Sequence, residues 1–121
     1  MNIKIGIVGQ GFVGTAVREG FNKHYNIQTY DKYDSTKSTC ASLEQLVSAS
    51  NIIFVCLPTP MLATGECDIS IVEDTVNQID SIGQDNIIII KSTVPPGTTE
   101  HLNNVCKTSH VVFNPEFLTE A

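Results

Sequence analysis

The chain has 121 residues, 41% of them hydrophobic and 17% charged, and 13 acidic against 7 basic side chains give a formal net charge of -6. That length fits one domain around a single core, and the composition is neither disordered nor membranous. The cations are few and scattered, so nucleic acid is not an expected partner.

The first apolar run, Ile3 to Val8, reads as strand one, and a helix begins near Phe12 with Val13, Ala16, Val17, Gly20 and Phe21 at spacings of three and four. Asn26 to Tyr30 supplies strand two, ending at Asp31, and the polar stretch Lys32 to Thr39 reads as loop. Ser42 and Gln45 make a capping box for a short helix carrying Leu43, Leu46 and Val47. Strand three, Asn51 to Leu57, is apolar throughout its interior and stops at Pro58-Thr59-Pro60, because proline cannot donate to a ladder. Ser70 and Glu73 form a second capping box before Ile71, Thr75, Val76 and Ile79, so Asp68 and Ser70 read as helix starters. Strand four is Asn86 to Ile90, Pro95-Pro96-Gly97 turns into a short helix through Leu102, and strand five is Ser109 to Phe113.

Strands and helices in alternation predict an α/β fold, a doubly wound parallel sheet of Rossmann type with the order 3-2-1-4-5, the sixth strand of a full sheet absent and strand five a potential exposed edge. The longest apolar runs are far too short to cross a bilayer and no signal peptide is visible, so no membrane partner and a cytoplasmic location are expected. The four cysteines show no CxxC pair and no zinc spacing, and read as structural thiols, Cys56 in the core and Cys40 and Cys67 in loop-like stretches where they could be exposed.

Gly9-Gln10-Gly11-Phe12-Val13-Gly14 has GxGxxG spacing directly between strand one and its helix. In that context the first glycine makes the tight turn, the second lets the backbone approach a diphosphate and the third lets the helix pack closely. The diphosphate then meets free N–H groups at the positive end of the helix. Asp31 lies about twenty residues past Gly11, where an acceptor for a ribose hydroxyl belongs. A carboxylate there repels a 2′-phosphate and favours NAD over NADP, an inference that the adjacent Lys32 softens.

Ligands of such sheets bind at the carboxyl ends of the strands. That rule selects Pro58-Thr59-Pro60, Ser92-Thr93 and Asn114-Pro115-Glu116. The hydroxyls of Thr59, Ser92 and Thr93 could contact a cofactor or merely cap a turn. Glu116 and Glu120 share one face if the last segment is helical; spacing alone leaves open an acid-base pair and a solvated pair.

With the glycine turn and Asp31-Lys32, the segments Pro58-Thr59-Pro60, Asp68-Ile69-Ser70, Lys91-Ser92-Thr93-Val94-Pro95-Pro96-Gly97-Thr98-Thr99 and Asn114-Pro115-Glu116-Phe117-Leu118-Thr119-Glu120 occur in order and spacing such that the chain resembles the UDP-glucose/GDP-mannose dehydrogenase family, in its N-terminal NAD-binding domain. The resemblance spans essentially residues 1–121. It implies a two-step oxidation of a nucleotide sugar's C6 alcohol to a carboxylate with two NAD in succession. It also implies that Gly9 to Gly14 hold the pyrophosphate, that Asp31 and Lys32 meet the ribose, and that Pro58, Thr59, Ser92 and Thr93 line the cofactor. Thr93 would further position a water, and Glu116 and Glu120 would serve acid-base work, the base not assigned between them. The family's cysteine nucleophile, central helix and sugar-binding domain lie downstream of the matching region, so the 121 residues alone are expected to bind NAD without turnover and a longer form to be a homodimer. A 3-hydroxyacid or 6-phosphogluconate type of dehydrogenase shares the glycine turn, although its usual methionine before the third glycine is Val13 here, and a non-catalytic nucleotide-binding module uses the same residues.

Overall fold

The apolar runs of the sequence become the middle of a parallel sheet. A computed structural model describes residues 3–21, 25–82, 85–92 and 94–114. Its strands are β1 (Lys4–Val8), β2 (Asn26–Tyr30), β3 (Ile52–Val55), β4 (Ile87–Ile90) and β5 (His110–Phe113). Its helices are α1 (Phe12–Phe21), α2 (Leu43–Ser48), α3 (Ser70–Ile82) and α4 (Thr98–Val105). All four strand pairings are parallel, with Ile7 between Thr29 and Phe54, and Phe54 in turn beside Ile89.

The doubly wound parallel class holds, but the strand order is β2-β1-β3-β4-β5, not the expected 3-2-1-4-5. Side-chain chemistry explains the difference. β3 is Ile-Ile-Phe-Val and gains most from a neighbour on each side, whereas β2 carries Asn26, Gln28 and Thr29 and suits an edge. The position beyond β2 is taken by the segment 37–40 instead. There Thr39 N and Cys40 N donate to Thr29 O at 2.9 and 3.0 Å, and Thr29 N donates to Thr39 Oγ1 at 2.8 Å. The stretch expected to be plain loop thus contains a 3-10 turn, Ser35–Lys37, started by Asp34, and then straps the β2 edge. Cys40, in a loop-like stretch where it could have been exposed, is the buried end of that strap and joins the core.

Right-handed crossovers put the helix of the step from β1 to β2 on one face and those of steps in the opposite direction on the other. Accordingly Val17 of α1 packs with Ile5, Ile7 and Phe54. Leu46 and Val47 of α2, Val72, Val76 and Ile79 of α3 and Leu102 of α4 pack on the opposite face with Ile53, Val55, Ile88 and Ile90. Each fully buried Ile or Val contributes about 1.5–3 kcal/mol relative to exposure. The stripe of α1 is narrower than its sequence pattern: Val17 is buried and Phe21 half-buried, but Ala16 and Gly20 face solvent.

Caps fix two of the helices that flank the site. Ser42 Oγ accepts from Gln45 N at 3.2 Å, and Gln45 Oε1 accepts from Ala41 N at 2.8 Å, a capping box displaced by one residue. At α3 the starting group is Asp68, whose Oδ1 accepts from Ser70 N at 2.9 Å. The Ser70 side chain and backbone N–H, by donating to Asp68, hold its carboxyl below the usual range.

Candidate cofactor site

The chain reverses direction across the sheet at β1, which has β2 on one side and β3 on the other. Such a switch point opens a crevice at the carboxyl ends of the strands. A cleft of about 920 Å³ lies there, lined among others by Gly9, Gly11, Asp31, Lys32, Tyr33, Pro58, Lys91 and Ser92.

The glycine turn is built by contact. Gly9 N donates to Tyr30 O at 2.8 Å as the chain leaves β1 with φ 94°. A Cβ on Gly9 would overlap the Cys56 carbonyl oxygen, and one on Gly14 would overlap the Gly9 carbonyl oxygen. Both positions are closed to any other residue. Around the place of a Cβ on Gly11, by contrast, no atom of the described residues beyond its chain neighbours lies within 4 Å. The first helical bond of α1 runs from Thr15 N to Gly11 O at 3.0 Å, so the N–H groups ahead of it have no acceptor within the helix. An open approach to free N–H groups at the positive end of a helix suits a diphosphate.

Gln10 serves the turn from beneath. Its side chain is buried and Nε2 donates to Gly9 O at 3.2 Å, while its backbone N donates to Asp31 Oδ2 at 2.9 Å. Asp31 Oδ1 accepts from Tyr33 N at 2.9 Å. A carboxylate offers about four acceptor positions, so two of them are taken by backbone and two remain for ribose hydroxyls.

Lys32 is exposed with its Nζ 5.9 Å from the centre of the Tyr33 ring. A different lysine reaches the turn: Lys37 Nζ lies 3.5 Å from Gln10 O and 3.9 Å from Asp34 Oδ2. Sequence reasoning missed Lys37 because it sits in a polar stretch, and its signal is the strap that folds that stretch back along β2.

At the far side of the switch point, Cys56 N donates to Val8 O and Lys91 N to Val55 O, both at 2.9 Å, which aligns the strand ends. Ser92 Oγ accepts from Leu57 N at 2.9 Å and donates to Leu57 O at 2.7 Å, so this hydroxyl locks the end of β3 to the end of β4. Lys91 is buried to 7% exposure, with Nζ 3.5 Å from Asn114 Oδ1. Thr59 is half-buried and its carbonyl receives the Cys67 thiol at 3.9 Å.

Gly9, Gly11, Asp31, Lys32, Pro58 and Ser92 therefore meet around one cleft, and Gln10 and Gly14 support it. Phe12 and Val13 open α1, their side chains outside the described structure, and Thr93, Glu116 and Glu120 lie outside the described residues. Residues not foreseen on the cleft include Tyr33, Asp34, Leu43 and the α3 stripe Ile71, Asp74, Thr75 and Gln78. Among the described residues no group of His, Cys, Asp and Glu could hold a metal ion, and no helix is long and apolar enough to cross a membrane.

A parallel doubly wound sheet, a glycine turn at its switch point, an open helix N-terminus and an acid at the end of β2 define a Rossmann-type dinucleotide-binding domain. The UDP-glucose/GDP-mannose dehydrogenase family, NAD binding domain, matches residues 25–121, and the chain belongs to this family, whose cofactor is NAD. The match starts after the glycine turn, so it is independent of that motif.

The UDP-glucose 6-dehydrogenase of Rickettsia bellii is 35% identical over 94 residues, covering 74% of this chain and 21% of that protein. A solved UDP-glucose dehydrogenase from Pyrobaculum islandicum superposes with a TM-score of 0.84 at 25% identity, over 99% of this chain and 37% of that one. The 3-hydroxyisobutyrate dehydrogenase of Mycobacterium tuberculosis has a TM-score of 0.76 at 12% identity, over 95% of this chain and 40% of that one, a likeness of fold alone. The chain thus spans about a fifth of the length of the curated relative and somewhat over a third of the solved dehydrogenase.

Proposed function

We propose that these 121 residues form the cofactor-binding portion of a nucleotide-sugar 6-dehydrogenase of the UDP-glucose type, which oxidises the sugar's C6 alcohol to a carboxylate with two NAD in succession. The observation that carries the cofactor assignment is the open approach to Gly11 beside the half-engaged carboxylate of Asp31. NAD supplies the hydride acceptor. In this reading the N–H groups of Gly11, Phe12 and Val13 hold its diphosphate, with the Lys37 ammonium beside them, and Asp31 takes the adenosine ribose with Lys32 at its rim. Gly9, Gln10 and Gly14 shape the turn, Pro58 and Thr59 border the cofactor, and Ser92 holds the strand ends in register beneath it.

Thr93 is assigned to positioning a water, and Glu116 and Glu120 to acid-base work at the sugar, from their places in the motifs that resemble the family. The names of the Rickettsia and Pyrobaculum relatives support a UDP-sugar as substrate. Sugar recognition and the cysteine nucleophile are assigned to parts of the enzyme outside these residues, which leaves the isolated domain binding NAD without turnover. A homodimer is proposed for the longer form, in the cytoplasm.

Titration calorimetry of the chain with NAD and NADP tests the cofactor assignment. NAD is expected to bind and NADP to bind at least about ten-fold more weakly, because a 2′-phosphate would face the Asp31 carboxylate. No heat with either at millimolar concentration would overturn the reading.

A further inference from the structure

The cleft has a wall that the cofactor assignment does not use. Val72, Val76 and Ile79 of α3 face the core, while Ile71, Asp74, Thr75 and Gln78 line the cleft, a stripe at i, i+3, i+4 and i+7. Within it Gln78 Nε2 donates to Asp74 Oδ2 at 2.7 Å. The bond fixes what the two side chains offer. One N–H of the Gln78 amide is used and the second has no partner among the described residues; the Asp74 carboxylate keeps further lone pairs. The pair therefore presents a donor and an acceptor side by side, in a cleft that the apolar side chains of Ile71 and Leu43 also line.

A dinucleotide with its diphosphate at Gly11 and its ribose at Asp31 has room for its base in the same cleft, which Asp74 and Gln78 also line. Adenine carries on one edge an amino group that donates, N6, beside a ring nitrogen that accepts, N1. That is the complement of the Asp74 and Gln78 pair: carboxylate to N6–H and amide N–H to N1. Hypoxanthine, with a carbonyl at position 6 and N1–H, has the reverse order and would set its oxygen against the carboxylate.

We propose that Asp74 and Gln78 are the residues that select adenine as the base of the dinucleotide, an inference that rests on the cofactor reading above. Both side chains are exposed on the helix, so they are replaceable without disturbing the core.

Calorimetry of the chain with NAD and with nicotinamide hypoxanthine dinucleotide tests it. The unaltered chain should prefer NAD by about ten-fold, the effect of two hydrogen bonds replaced by mismatches in a half-open site. The double substitution Asp74→Asn with Gln78→Glu exchanges donor and acceptor while keeping one carboxylate and the same net charge. It should reverse the preference and leave the melting temperature within a few degrees. NAD binding with an unchanged preference in the double variant, or equal weakening of both dinucleotides, would overturn this assignment and leave the cofactor reading standing. Failure of the unaltered chain to bind either dinucleotide would overturn the cofactor reading, and the base assignment with it.

Discussion

The backbone N–H of Gln10 donates to Asp31 Oδ2 across 2.9 Å, so the acid at the end of β2 is held by the very turn whose ligand it is placed to meet. One side chain thereby sets both the shape of the glycine turn and the charge beside the ribose position. Asp31→Asn removes the charge and weakens the anchor. Its amide oxygen can accept from Gln10 N or Tyr33 N, but its amide nitrogen donates where the second carboxylate oxygen accepted. NAD affinity is expected to fall about ten-fold, and the preference over NADP to shrink toward parity. Calorimetry with both dinucleotides checks this; a preference as large as in the unaltered chain would show that the carboxylate does not select between them.

Two glycines of the turn should respond oppositely to the same change. Gly14→Ala drives a Cβ into the Gly9 carbonyl oxygen, and relief requires moving α1 off the sheet. The expected cost is about 1–3 kcal/mol of stability, read from urea unfolding. Gly11→Ala meets no atom of the described residues beyond its chain neighbours, so its unfolding midpoint should hardly change. Its methyl group would stand instead where the diphosphate approaches, and NAD affinity should drop by roughly ten-fold or more. Normal NAD binding by Gly11→Ala would place the diphosphate elsewhere.

Most elements were legible from the sequence: the apolar runs Ile52 to Leu57 and Ile87 to Ile90 suited buried strands and contain β3 and β4, and the two glycine-turn neighbours, strand and helix, fell where the motif requires them. The order of strands was less so, since it depends on which way each crossover steps. The deciding signal was nevertheless present in the contrast between the uniformly apolar β3 and the polar β2, one suited to the middle and the other to an edge. Of the site, the turn and Asp31 could be read from spacing. Asp74 and Gln78 could not, because an acid and an amide four apart on a helix look like any solvated face until the fold shows what lies opposite. The Ser92 hydroxyl read as a possible cofactor contact, yet its bonding to Leu57 depends on a residue 35 positions away.

Two buried serines differ in the same way. Ser92 Oγ both accepts from and donates to the Leu57 backbone, so Ser92→Ala leaves a part-buried N–H and a carbonyl without their partner. The expected loss is about 1–3 kcal/mol. Ser109 Oγ is buried with no hydrogen-bond partner among the described residues. Replacing an unsatisfied hydroxyl by hydrogen removes a desolvation penalty, so Ser109→Ala should be neutral or slightly stabilising. Denaturant midpoints of the two variants, measured side by side, decide the matter; equal losses would contradict the assignment of Ser92 as a lock.

Acid should weaken the fold through Asp80. Burial works against its charge, but the N–H groups of Lys107, Thr108 and Ser109 and the Thr108 hydroxyl all donate to it, and together they lower its pKa from 3.8 to about 2. This carboxylate ties α3 to the start of β5. Because the folded value lies below the unfolded one, the stabilisation is fully present above pH 3.8 and is lost as pH falls toward 2. At neutral pH it amounts to about 1 kcal/mol, because solvent around the partly exposed carboxylate screens part of the effect. Asp80→Asn keeps one acceptor but cannot titrate, so it should lower stability at pH 7 and flatten the decline between pH 4 and 2, a slope obtained from urea unfolding at a series of pH values. A variant that loses stability with acid as steeply as the unaltered chain would show that other carboxylates govern acid unfolding.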